Sequence, residues 1–155
     1  MYNKHKAIEY AKKYAFDYNK DYFDFTLWGG DCMNFISQCL HAGGISMDYS
    51  NYGWYYNDIE NLSSSWISVE NFWNYAINNP NFKLKEIKMQ DLEVGDIIQF
   101  YNREKNKYYH CVIVTKVLKP IKRQNIFVAS HDNNAFNKSL ALYSEINFRF
   151  GKIMD

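Results

Sequence analysis

The hydrophobic period changes once along the chain, and this change limits the possible folds more than any other feature of the sequence. Up to Asn78, apolar residues recur at three- and four-residue steps, which is the spacing of amphipathic helices. After Asn79-Pro80-Asn81 the apolar residues fall in short runs rich in valine and isoleucine, which are typical of strands. Helices followed by antiparallel strands predict an α+β domain in which one sheet packs against the helices.

The element boundaries follow from the same pattern and from the glycines. Helices are predicted over residues 4–20, 32–41 and 68–78, and strands over residues 95–101, 109–118, 125–131 and 146–153. The second helix lies between the pairs Gly29-Gly30 and Gly43-Gly44, because glycine permits backbone angles that end a helix. Residues 45–65, rich in Tyr, Asn and Ser, are expected to form a long, partly ordered loop. A chain of 155 residues without repeats or linkers predicts one domain over residues 1–155.

Charge and hydropathy argue against several classes of protein. The net charge is +1, so the basic surplus typical of a nucleic-acid binder is absent. The mean hydropathy is −0.50, and no segment approaches the ~20 apolar residues that span a bilayer. The first residues lack the apolar core of a signal peptide, so the chain as given is expected to be cytoplasmic, or secreted if a leader has been removed. The sequence does not predict the oligomeric state.

The three cysteines do not indicate a disulfide framework or a metal site. Cys32, Cys39 and Cys111 are odd in number, whereas small folds held by disulfides prefer larger even sets. Their spacings, and that of the adjacent His110, do not match the short Cys-x2–4-Cys motif of structural zinc sites. We therefore expect no metal and no cofactor, and each cysteine is either a nucleophile or a core residue.

Cys32 stands out because it occupies the first turn of a predicted helix. The N–H groups and partial positive charge of a helix N-terminus favour a thiolate over a thiol. The same N–H groups can bind the oxyanion that forms when a thiolate attacks a carbonyl. Gly30 and Asp31 make up this expected cap and oxyanion region, with Asp31 as the N-cap. The competing interpretation is that Cys32 is a small buried residue on the helix face.

A cysteine nucleophile needs a base, and the best candidate among the four histidines is His110. It opens the apolar run that continues to Val114, where a titratable residue is unusual. His131 ends the following predicted strand, so an antiparallel hairpin would bring both histidines to one end of the sheet. His131 is then expected to orient the imidazole of His110, with Asp132 and Asn133 as alternatives for this third position.

These residues form a pattern that resembles the putative amidase domain family of Gram-positive bacteria, within the papain-like NlpC and CHAP peptidoglycan hydrolases. The pattern comprises Gly30-Asp31-Cys32, Asn34-Phe35, Ser37-Gln38, Leu40, Ala42-Gly43-Gly44, Trp54-Tyr55-Tyr56, Trp66, Gly95-Asp96, His110 and His131. The resemblance implies a papain-like fold with Cys32 as nucleophile, His110 as base and His131 as the orienting residue. Met33 departs from NlpC-type enzymes, which usually have a small hydroxyl residue after the cysteine.

The expected function is hydrolysis of an amide bond through a thioester, with a peptide or a peptidoglycan-derived substrate as partner. An acyl transferase on the same scaffold and a catalytically silent binding module remain as alternatives. The aromatic residues near the site are expected either to line a substrate cleft or to fill the core, and they are Trp28, Trp54, Tyr55, Tyr56 and Trp66.

Overall fold

Four helices precede most of the strands in the computed structural model, which describes residues 1–154. They are α1 (Lys4–Tyr14), α2 (Cys32–Ala42), α3 (Ser64–Ile67) and α4 (Val69–Asn78). α1 ends six residues before the predicted position, at the point where the carbonyl oxygen of Tyr14 accepts a hydrogen bond from His131. None of the helices within residues 1–154 has the length and apolar character needed to cross a bilayer.

The strands form a small two-stranded sheet and a large antiparallel sheet of six strands. β1 (Tyr56–Asp58) pairs with β2 (Asn61–Leu62). The large sheet has the order β3-β8-β4-β5-β6-β7, and its strands are β3 (Leu84–Ile87), β4 (Ile97–Asn102), β5 (Lys107–Val117), β6 (Ile126–Ser130), β7 (Ala135–Ser139) and β8 (Phe148–Ile153). The α+β class is thereby confirmed. β3 and β7 were not predicted because they are edge strands, which bury few side chains and so carry a weak apolar signal.

The core consists of two layers on opposite faces of the large sheet. The helices pack on the face that carries Ile97, Cys111 and Ile113. A second cluster, which includes Ile98 and Val112, fills the other face, as strand alternation requires. Every residue of α2 from Cys32 to Leu40 is buried, so this helix is surrounded by protein and its start is held firmly.

The segment 45–65 is more ordered than the sequence predicts. A backbone bridge joins Asp48 to Trp54, and the segment then enters β1 and β2. The buried indoles of Trp54 and Trp66 donate hydrogen bonds to α2, at the Ser37 hydroxyl (3.1 Å) and the Asn34 side-chain carbonyl (2.9 Å). These two tryptophans, together with the buried Tyr56, therefore belong to the core, which is one of the two alternatives that the sequence left open for them.

Candidate active site

A carboxylate from a distant turn caps the helix that carries Cys32. The backbone N–H of Asp31 lies 2.9 Å and that of Cys32 3.1 Å from Oδ2 of Asp132. Asp31 occupies the N-cap position, as expected, but its side chain makes no capping hydrogen bond to α2. Its Oδ1 instead accepts hydrogen bonds from the backbone N–H of Phe25 (2.8 Å) and from the side chain of Asn34 (2.9 Å). Asp31 thus fixes the loop that leads into α2.

Gly30 is needed because this carboxylate approaches the backbone so closely. A Cβ atom at Gly30 would lie 2.6 Å from Oδ2 of Asp132, and the glycine has a φ of +111°. On the other side, Asp132 (φ +62°) and Asn133 (φ +61°) both adopt the left-handed conformation in the turn after β6. Aspartate and asparagine tolerate this conformation better than other residues that have a side chain. The residue types in the loop before α2 and in the turn after β6 therefore allow the Asp132 carboxylate to reach the backbone at Gly30.

Cys32, His110 and Asp132 come together at the start of α2. The thiol sulfur, a ring nitrogen of His110 and a carboxylate oxygen of Asp132 all lie within 4.8 Å of one another. His110 lies on β5, where an irregularity in the pairing with β4 leaves Tyr109 without a partner. Such bulges are frequent beside active sites, because they redirect side chains. The thiol of Cys32 also contacts the carbonyl oxygen of Tyr109 at 3.9 Å.

His131 takes part in a different network. Its Nδ1 lies 2.5 Å from Oδ2 of Asp31, and its Nε2 lies 2.7 Å from the carbonyl oxygen of Tyr14. A carboxylate and a carbonyl only accept hydrogen bonds, so both ring nitrogens donate and the ring is an imidazolium. No ring nitrogen is left to orient His110, and the expected role of His131 as third member does not fit this geometry. Asp132, one of the two alternatives, accepts a hydrogen bond from the backbone N–H of Cys32 and has a carboxylate oxygen within 4.8 Å of a His110 ring nitrogen, whereas Asn133 is the exposed residue after it.

Burial shapes the acid–base properties of the pair. It raises the pKa of the Cys32 thiol to about 12, and the negative charge of Asp132 acts in the same direction. Burial also lowers the pKa of His110 to about 4, although Asp132 opposes this effect. The resting site therefore holds a thiol and a neutral imidazole, and not the thiolate–imidazolium pair that a helix N-terminus alone suggests.

The pKa of His131 is raised, whereas that of His110 is lowered. Burial alone lowers its pKa, but the hydrogen bonds to Asp31 and to the Tyr14 carbonyl outweigh burial and raise the pKa above its usual value. The His131 Nδ1 and the Asp31 Oδ2 form an ion pair, and it is buried because the two side chains are only 2% and 1% exposed. This pair ties the turn after β6 to α1 and to the loop before α2.

A cleft of about 380 Å³ leads to Cys32. Its walls include Gly29, Gly30, Val69 and Tyr109, with Glu70 and the lysines at 105 and 107 also lining it. Trp28 is 74% exposed and does not line this cleft. Tyr55 lines a separate cavity. Trp28 and Tyr55 therefore do not line this cleft, and the other three aromatic residues considered for it lie in the core.

The three groups at the start of α2 are also of the types that bind metal ions in proteins. Thiolate, imidazole and carboxylate are the donors that Zn²⁺ uses in proteins, and three of them with an open fourth position are typical of accessible zinc sites. Their donor atoms lie within 4.8 Å of one another, so these three residues could hold one metal ion.

Comparisons with known proteins show the family to which the chain belongs. The family model described as "Putative amidase domain" matches residues 1–153. Two proteins of Bacillus subtilis (strain 168) are similar: "Uncharacterized protein YhbB", 27% identical, with 100% of this chain and 51% of that protein covered, and "Uncharacterized protein YjcM", 26% identical, with 88% and 32% covered. The chain thus spans about half or less of the length of these relatives. No solved structure matches the chain.

Proposed function

Since the chain belongs to the putative amidase domain family, we propose that it cleaves an amide bond with Cys32 as the nucleophile and His110 as the base. The observation that carries this proposal is the convergence of a thiol, an imidazole and a carboxylate within 4.8 Å at a helix N-terminus. The three come from α2, β5 and the turn after β6. A thiol, an imidazole and a carboxylate within 4.8 Å of one another are the groups that covalent catalysis combines as nucleophile, base and third polar residue.

The first step is attack of the Cys32 sulfur on the amide carbonyl while His110 removes the thiol proton. A carbon–sulfur bond forms, and the negative charge moves to the carbonyl oxygen. The tetrahedral intermediate collapses as His110 gives its proton to the nitrogen, the carbon–nitrogen bond breaks, and the amine leaves. Water then attacks the thioester and loses a proton to His110. The second tetrahedral intermediate collapses, the carbon–sulfur bond breaks, and the carboxylic acid departs. His110 returns the proton to the sulfur, which restores the thiol.

Asp132 acts on both partners of this proton transfer. Its charge raises the pKa of His110, so it stabilises the imidazolium that forms during attack. Its charge also raises the pKa of Cys32 and so holds the resting sulfur as a thiol. In the structure its Oδ2 accepts the hydrogen bond of the Cys32 backbone N–H. A substrate oxyanion can therefore bind this N–H only when the carboxylate turns away. We therefore assign Asp132 as the residue whose charge stabilises the His110 imidazolium.

The substrate class is a peptide or a peptidoglycan-derived peptide. The cleft beside Cys32 is lined by Glu70 and by the lysines at 105 and 107, so it offers partners for both signs of charge on a peptide substrate. The Glu70 carboxylate is held by Arg149 at 2.6 Å, and the guanidinium lies over the ring of Tyr108 at 3.8 Å. These contacts hold the Glu70 carboxylate in one place, which favours a defined substrate orientation.

The direct test is release of new amino groups from purified peptidoglycan and from peptide amides. Cys32→Ala and His110→Ala are expected to abolish release. Cys39→Ala is the matched control, because it removes a buried thiol seven residues further along the same helix and is expected to retain activity. Mass spectrometry of the products separates hydrolysis from acyl transfer to an amine. Undiminished release by the Cys32 or the His110 variant would refute the mechanism.

Asp132→Asn gives a second test, with two opposite effects. The variant removes a charge that raises the Cys32 pKa, so iodoacetamide is expected to alkylate Cys32 faster near pH 8. It also removes the charge that stabilises the His110 imidazolium, so amide release is expected to fall by about 10²–10⁴-fold, the usual contribution of assisted proton transfer. Slower alkylation, or unchanged release, would contradict the assigned role.

A further inference from the structure

A second cavity lies beside the helical segment that borders the Cys32 cleft. It measures about 510 Å³, within the range of about 300–1,000 Å³ that is usual for small-molecule sites. The Cys32 cleft takes Ile67 to Glu70 from this segment, whereas the second cavity takes residues 63–65, 71, 74 and 75. The two cavities share no lining residue. We call the second one the tyrosine cavity.

The lining of the tyrosine cavity has an unusual composition. It contains only tyrosine, serine, asparagine and glycine, with no charged and no aliphatic side chain, and its members are Tyr49, Ser50, Asn51, Tyr52, Gly53, Tyr55, Ser63, Ser64, Ser65, Asn71, Asn74 and Tyr75. Aromatic faces contact polarised C–H groups, and hydroxyl and amide groups both donate and accept hydrogen bonds. A neutral ligand with many hydroxyl groups and apolar ring faces matches this lining.

Several of these groups have unused binding capacity. Within residues 1–154, the side-chain amides of Asn51, Asn71 and Asn74 take part in none of the hydrogen bonds. Tyr52 is 99% exposed, and Tyr49 is 61% exposed. The cavity therefore offers the exposed ring of Tyr52 and three side-chain amides that the fold itself does not use.

The frame that carries these side chains is firmly held. Asp48 accepts hydrogen bonds from the Tyr75 hydroxyl (3.0 Å) and from the Ser50 backbone N–H (3.0 Å). The Ser65 hydroxyl donates to the carbonyl oxygen of Gly53 at 2.5 Å, which joins the loop to α3. A site formed in advance loses little conformational entropy on binding, so even a weakly interacting ligand can be retained.

We propose that the tyrosine cavity binds a neutral oligosaccharide. A nucleic acid or an anionic ligand would need cations, and the lining supplies none. A ligand with large apolar side chains would need aliphatic surface, which is also absent. Sugar rings combine the apolar faces that tyrosine contacts with the hydroxyl groups that asparagine and serine pair with. This binding does not depend on catalysis at Cys32.

The test measures binding of chitotetraose and of cellotetraose to the full chain by saturation-transfer NMR and calorimetry. Tyr52→Ala is expected to weaken binding by about five- to tenfold, which corresponds to the loss of one aromatic contact. Asn74→Ala, on the exposed side of α4, is expected to weaken it as well, with the fold intact because alanine favours helices. Cys32→Ala is expected to bind like the unaltered chain, which separates this proposal from the amidase mechanism.

Trp28→Ala is the matched control, because it removes an exposed aromatic side chain outside the tyrosine cavity. Unchanged binding by this variant supports the assigned site. Three results would overturn the proposal: no binding of either sugar at millimolar concentration, binding that Tyr52→Ala and Asn74→Ala leave unaltered, or equal losses in Trp28→Ala and Tyr52→Ala.

Discussion

Replacing His131 by glutamine tests whether this residue holds the site together or takes part in the chemistry. Its two ring nitrogens bind the Asp31 carboxylate (2.5 Å) and the Tyr14 carbonyl (2.7 Å), and its ring stacks on Phe35 with 4.1 Å between centroids. The side chain is 2% exposed. Glutamine cannot supply a positive charge to Asp31, so the substitution leaves a buried carboxylate without its counter-ion.

The size of the effect follows from the burial of this pair. Removing one partner of a buried ion pair costs about 3–5 kcal/mol, because the remaining charge stays buried and uncompensated. In a domain of roughly this size, each kcal/mol lowers the melting temperature by about 2–4 °C. His131→Gln is therefore expected to lower the melting temperature by about 6–20 °C.

The assay combines thermal unfolding, followed by circular dichroism, with amide release at about 15 °C, where the variant is still expected to be folded. His5→Gln serves as the control, because His5 is 82% exposed and its loss should change stability by less than about 0.5 kcal/mol. The folded His131 variant is expected to keep most of its activity. If stability is unchanged and activity is lost, His131 acts on the reaction and the structural interpretation is refuted.

The pH dependence gives an independent readout of the same pair. The folded pKa of His131 lies above the unfolded value of about 6.5, so the folded state binds the proton more tightly. Its contribution to stability is fully present below about pH 6.5 and is lost as pH rises through the raised folded pKa. Urea unfolding should therefore show the difference between the unaltered chain and His131→Gln shrinking as the pH rises. A difference that grows with pH would contradict the assigned charge.

Two further predictions concern the start of α2. Gly30→Ala is expected to destabilise the fold more than Gly29→Ala. Both glycines have positive φ, but only a Cβ at position 30 would meet the Asp132 carboxylate, at 2.6 Å. Equal losses of unfolding free energy would show that this contact is unimportant. Micromolar Zn²⁺ is expected to inhibit amide release reversibly, with recovery on adding a chelator, because the Cys32 thiol is one of three neighbouring groups of the types that bind zinc. Inhibition that a chelator does not reverse would count against this.

Local sequence signals predict the framework of the site well. Gly29-Gly30 before an apolar period of three and four residues places Cys32 at a helix start, and the structure has α2 begin there. The apolar run after His110 predicts a strand, and β5 contains it. These signals are reliable because they depend on backbone preferences and on the burial of one face, both of which act over a few residues.

The identity of the third group could not be predicted in the same way. His131 and Asp132 are adjacent, and either is chemically able to accompany His110. The backbone of Asp132 is left-handed, and its carboxylate reaches the N–H groups of α2, while the ring of His131 reaches the end of α1, 117 residues away in sequence. Spacing along the chain contains no information about which of two neighbouring side chains meets a distant helix.

The amino-acid sequence by itself determined the class of the fold, the helix that presents Cys32 and the strand that presents His110, because these depend on local periodicity and on glycine. Only the tertiary structure decided that Asp132 caps that helix, that His131 forms a buried ion pair, and that Trp54 and Trp66 lie in the core. Each of these depends on burial and on contacts between segments far apart in the chain. Such contacts set the charge that a buried thiol and imidazole carry at rest.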